Sequence, residues 1–303
     1  MLHINCDVGE GVDNEEILMP YINACNNACG GHAGDAETMH KVVALAKKYN
    51  VEIGAHPSYP DRENFGRISV DMASAEFIKT IQQQITNLEE IAALHAAKIV
   101  HIKPHGALYN DVAKSEEKAQ LFLKAISKYK DKYKLYIPYN SVIETFALQQ
   151  NFDIIYEAFA DRNYNDDLTL VSRKKENAVL TEIGEIISHV SILKNEQKVQ
   201  TISNQKVTLK SDTFCVHSDT VSAIEIVQQL HSHFNTKNQH SKPTFPSYTM
   251  YGDSGLLLTW EAKMSPEVLN SVLEYRDRII NFNIKVILDV VQSNNSLLII
   301  AKL

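Results

Sequence analysis

Four histidines, several carboxylates and one lysine sit at or just beyond short apolar runs in this sequence, and six of the seven runs end in such a group. Asp7 and Glu10 follow Leu2–Cys6. His32 and Asp35 stand in "GGHAGD", after Ala24–Cys29. His56 follows Val51–Ala55 and opens the loop "HPSYPDRENFGR", which carries Tyr59, Asp61, Arg62 and Arg67. Lys103, His105, Tyr109 and Asn110 belong to "KPHGALYN", at the end of Lys98–Lys103. Asn140 follows Leu135–Pro138, and "EAFADRNY" at the end of Ile154–Phe159 supplies Glu157, Asp161 and Arg162. His217 and Asp219 stand in "VHSD", after Thr213–Val216.

Histidines and carboxylates together can bind a divalent metal or work as general acid and base. Lys103, Arg62, Arg67 and Arg162 can hold a small anion such as a carboxylate or phosphate. Each residue alone also has a plain structural use. Asp7 or Asp35 can cap a helix, a histidine beside glycine can bond a carbonyl, and Lys103 can be a surface charge. The functional reading rests on the whole set falling at one end of successive strands. No serine or cysteine stands in a nucleophile elbow, and no dinucleotide fingerprint is present. The residues alone therefore point to a hydrolytic or lyase reaction on a small anion.

The elements that must position these groups follow from the pattern. The seven apolar runs are mostly continuous rather than alternating, as in parallel strands covered on both faces. Helical spacing falls between them, over Ala36–Tyr49, Ser74–Ala97, Ser115–Tyr129, Ser141–Gln150, Glu176–Leu193 and Thr220–His233. Strand alternating with helix predicts a parallel sheet. The element count predicts an α/β fold, an irregular seven-stranded β/α barrel, with an open doubly wound sheet as the alternative. A barrel would place all the candidate groups at the carboxyl ends of its strands, where barrel enzymes carry their sites. Gln200–Lys210 reads as a hairpin on the rim. Residues 1–234 thus form the barrel, and Asn235–Ser247, polar with two prolines, reads as a linker. Residues 248–303 read as a small βαββ unit with strands Gly255–Trp260, Ile284–Val291 and Ser296–Lys302 and a helix Pro266–Ile280.

Bulk properties narrow the class. The 30 basic and 37 acidic residues give a net charge of −7 with no basic block, which argues against nucleic acid. No run of eighteen apolar residues predicts a membrane span. The opening "MLHINCDVGEG" lacks the pattern of a signal peptide. Cys6, Cys25, Cys29 and Cys215 fall in buried strands and read as apolar thiols rather than as a metal or redox set, in keeping with a reducing cytoplasm.

Six blocks carry a resemblance to a known family: "NCDVGEG", "NNACGGHAGDAETM", "VEIGAHPSYPDRENFGR", "IKPHGALYN", "EAFADRNY" and "CVHSD". In that order, from Met1 to about Phe234, they resemble the LamB/YcsF family, described as the A-type subunit of 5-oxoprolinase. The resemblance implies a β/α-barrel fold related to polysaccharide deacetylases. It also implies ATP-dependent opening of 5-oxo-L-proline to L-glutamate, with partner subunits B and C and Mg accompanying the ATP. Carried onto this chain, it makes Asp7, Glu10, His32, His56, Lys103, His105, Asp161 and His217 the catalytic set. Tyr59, Arg62, Arg67, Tyr109, Asn110 and Arg162 become substrate contacts. Asp7 and His56 would position or deprotonate the water, and His105 and Lys103 would stabilise developing charge. Asp7, His32 and His56 are the candidates for a divalent metal. Gly31, Ala36 and Asp167 depart from the family's usual Phe, Pro and Gly, and the first is expected to loosen the pocket beside His32. The stretch from Tyr248 resembles the opening of the B-type subunit of 5-oxoprolinase, the KipI type. Two other readings stay open: a metal-dependent deacetylase-like hydrolase acting on carbohydrate, and a non-catalytic regulatory protein that binds a small anion. Against the first, Pro60 stands where a His-x-x-x-His pair would need its second histidine after His56.

Overall fold

The computed structural model describes residues 1–173, 175–220, 222–235, 247–251, 255–259, 272, 276, 287–292 and 296–301. The chain divides into two compact units, Met1–Asn235 and Thr236–Leu303.

The first unit begins with β1 (Ile4–Val8), a single short turn α1 (Glu15–Leu18), β2 (Ala24–Ala28) and α2 (Ala36–Tyr49). It continues with β3 (Glu52–His56), α3 (Ser74–Leu94), β4 (Ile99–Ile102), α4 (Gly106–Lys114) and α5 (Glu116–Ile126). Then come β5 (Lys134–Pro138), α6 (Val142–Gln149), β6 (Ile154–Phe159) and α7 (Ile183–Glu196). A hairpin of β7 (Lys198–Gln200) and β8 (Lys206–Thr208) precedes β9 (Thr213–Val216) and α8 (Ala223–Phe234). Strands β1, β2, β3, β4, β5, β6 and β9 close, in that order, into a parallel barrel. Every residue of β1, β2 and β9 is buried, which is why these strands read as unbroken runs without a period of two.

The helices close the outer face by their spacing. Val42, Val43 and Ala46 of α2, and Ile81, Ile85 and Leu88 of α3, are fully buried against the barrel. Each buried Leu, Ile or Val contributes about 1.5–3 kcal/mol of transfer free energy. Asp35 caps α2 by accepting from the backbone N–H of Thr38, and Ser115 caps α5 in the same way through Lys118. For Asp35 the plain reading holds: it is exposed and its work is the cap.

The single turn α1 was not expected, and two longer helices also differ from expectation. The stretch read as helical from Glu176 becomes helix only at Ile183. Before it, residues 160–173 and 175–182 form a loop that Arg162 clamps, donating to the carbonyls of Val171 and Ala178. Bridges pair Arg162 with Val179 and Tyr164 with Leu170. These tertiary hydrogen bonds satisfy the backbone that a helix would otherwise pair, and they override local propensity. The second difference is α4, within "KPHGALYN". It has no capping side chain, because both nitrogens of His105, at its N-cap, are used elsewhere. Gly106 begins it at φ +57, and a Cβ there would stand 2.6 Å from the Gly66 carbonyl oxygen. Only glycine fits that backbone and that approach.

In the second unit, β10 (Ser247–Tyr251), β11 (Gly255–Thr259), β12 (Ile287–Gln292) and β13 (Ser296–Ala301) form an antiparallel sheet in the order β10-β11-β13-β12. The sequence pattern shows three of these strands; β10 is the fourth. It is an edge strand rich in Ser, Thr and Tyr, and it starts where the linker was expected to end. Most of the expected helix Pro266–Ile280 and most of the linker lie outside the described residues; Val272 and Arg276 are helical.

Candidate active site

The barrel interior is polar. Asn26 donates to Asn5 Oδ1 and to Asp7 Oδ1, both at 2.7 Å, and its own carbonyl oxygen lies 2.7 Å from His101 Nε2. Asn5 in turn donates to Thr213 Oγ1 at 2.9 Å. This ladder fixes one oxygen of Asp7 at the carboxyl end of β1.

Lys103 sits at the centre of that end, 2 % exposed. Its ammonium lies 2.9 Å from Asp7 Oδ1, 2.8 Å from Glu157 Oε1 and 3.2 Å from Cys215 Sγ. Burial alone would push Lys103 down. Asp7, Cys215 and Glu157 outweigh it, and the group stays well above its ordinary value. Burial would likewise raise Asp7, but Lys103 and His56 hold it well below the carboxylate range. Lys103 is therefore a fixed positive charge rather than a base.

Three histidines meet Glu10 beside this pair. His32 Nε2 is 2.7 Å from Glu10 Oε1, His105 Nδ1 is 3.2 Å away and His56 Nε2 is 3.8 Å away. His56 Nδ1 bonds the Lys103 carbonyl at 2.8 Å, and His105 Nε2 bonds the Phe65 carbonyl at 2.9 Å. Each of those outer nitrogens must carry a proton to donate. The inner nitrogens, His56 Nε2 and His105 Nδ1, then face each other at 3.0 Å. Burial would raise Glu10, but bonds from His105 and His32 hold it below its ordinary value. Burial pushes His32 down to about 4, so it is neutral at pH 7 and donates its Nε2 proton to Glu10.

This arrangement tests the metal candidates. Ligand atoms of Glu10, His32, His56 and His105 all lie within 4.8 Å of one another. His32 and His105 are stacked, with centroids 3.5 Å apart and planes 3° from parallel. In-plane lone pairs of two such rings run side by side and cannot meet at one ion. His32 Nδ1 is also buried without a partner, whereas a ligating histidine nearly always donates its second nitrogen. In this arrangement His32 holds Glu10, one of the four residues whose ligand atoms cluster here. Glu10, His56 and His105 do fit. Their ligand atoms stand 3.0, 3.2 and 3.8 Å apart, near the roughly 3.4 Å edge of a tetrahedral site with bonds of about 2.1 Å. Asp7 Oδ2, 3.6 Å from His56 Nε2, borders the same space.

Opposite, Asp161 is fully buried and accepts from the backbone N–H and Nδ1 of His217 and from the Thr220 hydroxyl at 2.6 Å. Burial would raise Asp161, yet His217 and these bonds hold it below its usual value. The dyad fixes the His217 tautomer and leaves Nε2 as acceptor. Phe159 stacks on the same imidazole.

Asp7, Glu10, His56, Lys103, His105 and His217 all line one cavity of about 430 Å³. Arg67, Tyr109, Asn110 and Arg162 from the expected substrate contacts line it too, with Phe65, Lys114, Arg173 and Asp219. His32 and Asp161 stand behind this wall. On the rim, Asp219 pairs with Arg67 at 2.7 Å and Arg173 at 3.1 Å. Two expected substrate contacts are otherwise employed. The Tyr59 side chain is core, with its hydroxyl on Asp111. Arg62 holds the loop after β2 through the carbonyls of Gly30 and Gly34. Arg162 spends Nε and Nη2 on the loop carbonyls described above while still lining the cavity. The space at Gly31 is not loose either. Gln84 fills it while bonding both the N–H and carbonyl of Ser58, and a Cβ at Gly31 would stand 2.5 Å from Gln84 Oε1.

Sequence reasoning missed Asn26, Cys215, Lys114 and Arg173 as parts of the site. Asn26 carried a signal, a polar residue inside a buried strand. The others carried none. The four cysteines are free and buried as expected, and burial pushes Cys25 and Cys29 up to about 12. No helix among the described residues is long and apolar enough to cross a membrane.

A closed parallel barrel with a charged, histidine-rich mouth at the carboxyl ends of its strands defines a barrel of enzyme type. The chain belongs to the LamB/YcsF family, whose pattern matches residues 2–247. It is 38% identical over 232 residues to the 5-oxoprolinase A-type subunit of Staphylococcus aureus, strain bovine RF122 / ET3-1, covering 75% of this chain and 93% of that one. The corresponding protein from strain MRSA252 matches to the same extent. Among solved structures, the lactam utilization protein of Thermus thermophilus superposes with a TM-score of 0.72 at 27% identity, over 76% of this chain and 94% of that one.

Proposed function

We propose that this chain is the A-type subunit of an ATP-dependent 5-oxoprolinase, a cyclic amide hydrolase that opens 5-oxo-L-proline to L-glutamate in the cytoplasm with B- and C-type subunits. The observation that carries this reading is the buried Lys103, held between Asp7 and Glu157 beside two histidines and facing an Arg-rimmed cavity. The names of the relatives supply the substrate class.

The overall reaction is 5-oxoproline, ATP and two waters giving glutamate, ADP and phosphate. ATP phosphorylates the lactam oxygen and ADP leaves. One water adds to C5, the C5–N bond breaks as nitrogen takes a proton, and the second water releases phosphate from the acyl phosphate. In this scheme Lys103 faces the oxygen on which negative charge develops, in a site where burial strengthens its field. Arg67, Arg173 and Lys114 on the cavity wall match the carboxylate and phosphate groups. His217, oriented by Asp161, accepts the proton of the attacking water. His56 and His105, with Glu10, hold the proton that passes to the ring nitrogen. Those three would also hold a divalent ion, which would supply Lewis-acid polarisation of an oxygen. The segment after residue 247 is read in the same proposal as a remnant of a B-type subunit, with no part in the chemistry.

The test is glutamate release from 5-oxoproline and ATP, measured with and without added B- and C-type subunits. Release is expected only with the partners present. No release under any combination overturns the reading, and substantial release by the purified chain alone overturns the need for partners.

A further inference from the structure

Beside the main cavity lies a second one of about 90 Å³. Tyr109, Asn110 and Phe159 wall both, and Glu157 lines the smaller. Glu157 is 2 % exposed, and neither of its oxygens has a hydrogen-bond partner; its contact with Lys103 is an ion pair outside hydrogen-bond geometry. The neighbouring Tyr109 is buried too, and its hydroxyl faces Glu157 closely enough to bond it after a small rotation. A carboxylate offers about four acceptor positions. Tyr109 and Lys103 can fill at most two of them, even after small rotations. A buried carboxylate left this short of donors, facing a cavity, is a costly feature to keep unless something supplies a donor.

The chemistry of that donor follows from the pair. Glu157 and Lys103 present an acceptor and a donor 2.8 Å apart. The edge of a cis amide presents the complement on adjacent atoms, an N–H and a C=O. Tyr109 and Phe159, which wall both cavities, give the junction between them apolar faces suited to ring methylenes. We propose that Glu157 receives the ring N–H of the lactam while Lys103 takes its carbonyl oxygen, which makes Glu157 the residue that selects a lactam over its carbocyclic and oxygen counterparts. This rests on the lactam-opening reading above. A site built to bond an N–H rejects an analogue that lacks it, because the buried acceptor is then left unpaired.

The test compares 5-oxo-L-proline with 3-oxocyclopentane-1-carboxylate, in which a methylene replaces the ring N–H. Binding of each is measured by calorimetry on the full chain with B- and C-type subunits present and ATP absent. The expected preference for the lactam is at least about tenfold, the value of one hydrogen bond to a charged group. In Glu157→Met, shown to be folded by its circular dichroism, the preference should fall below about threefold. Glu157→Gln keeps a neutral acceptor and should lose part of the preference, so it carries the test if the methionine variant does not fold. Full preference retained in either folded variant overturns the proposal while leaving the lactam reading standing. Failure of the wild-type assembly to bind either ring overturns both.

Discussion

Replacing Lys103 by methionine probes the centre of the site, and the structure sets both the size and the pH dependence of the effect. Methionine matches the length of the side chain but removes the charge. Asp7 and Glu157 then remain as two buried carboxylates with no cation between them. Breaking a buried ion pair by removing one partner costs about 3–5 kcal/mol. For a unit of this size that lowers the melting temperature by roughly 6–20 °C, at about 2–4 °C per kcal/mol. Turnover should be lost as well.

The pH dependence separates stranded charge from poor packing. In the native protein Asp7 is depressed, so its contribution is present at neutral pH and is lost only as acid drives it through its lowered folded value. Lys103 is raised, so its contribution persists through neutral pH and fades only in strong base. In the variant, burial acts on Asp7 with only His56 and His217 to oppose it, which raises its folded value relative to the native protein. A raised carboxyl destabilises at high pH, and the penalty disappears as pH falls. The deficit in melting temperature between variant and native protein should therefore be largest at pH 7–8 and shrink by pH 5. Paired thermal melts across that range read it directly. A deficit that stays constant with pH would refute the account of Lys103 as counter-charge and leave only a packing defect.

Two other substitutions test neighbouring parts of the site. Asp161→Asn should lower kcat about 10²–10⁴-fold, the range for a mispositioned general base, with KM and melting temperature little changed, since the fault lies in the His217 tautomer. A KM effect alone would remove His217 from that role. Gly106→Ala forces a Cβ against the Gly66 carbonyl at positive φ and should destabilise by on the order of 1–3 kcal/mol, displacing His105. Unchanged melting and turnover would show that the loop relaxes freely.

The barrel was legible because strands buried on both faces leave long apolar runs, and because Asp35 and Ser115 mark helix starts by local chemistry. The set at the strand ends was legible for the same reason: strand position fixes which end a residue occupies. What the sequence could not show was direction. Tyr59, Arg62 and Arg162 lie in loops that approach the site, and whether such a side chain points into a cavity or back to a carbonyl depends on neighbours distant in sequence. Arg62 finds Gly30 and Gly34, and Arg162 finds Val171 and Ala178. His32 is a similar case. It was a metal candidate with Asp7 and His56, and only the structure shows its ring stacked on His105 with Nε2 on Glu10. The late start of α7 has the same origin, since Arg162 claims the carbonyls of residues that look helical in isolation.

The polar barrel interior ties these observations together. Barrel interiors are usually filled by branched apolar side chains, yet here Asn5, Asn26 and His101 occupy the centre and bond in a chain from His101 Nε2 through Asn26 to Asn5. Burial pushes His101 well down, so it is neutral and donates to Asn26 with no charge of its own to compensate. The ladder thus delivers one N–H to Asp7 Oδ1 from below, while Lys103 reaches the same oxygen from the side. With Oδ1 occupied twice, Oδ2 is the oxygen left toward His56, 3.6 Å away. A hydrocarbon core would leave the Asp7 carboxylate free to turn between its neighbours. The ladder instead gives each oxygen one task, and that fixes which face of Asp7 is open to a substrate, a water or an ion in the cavity.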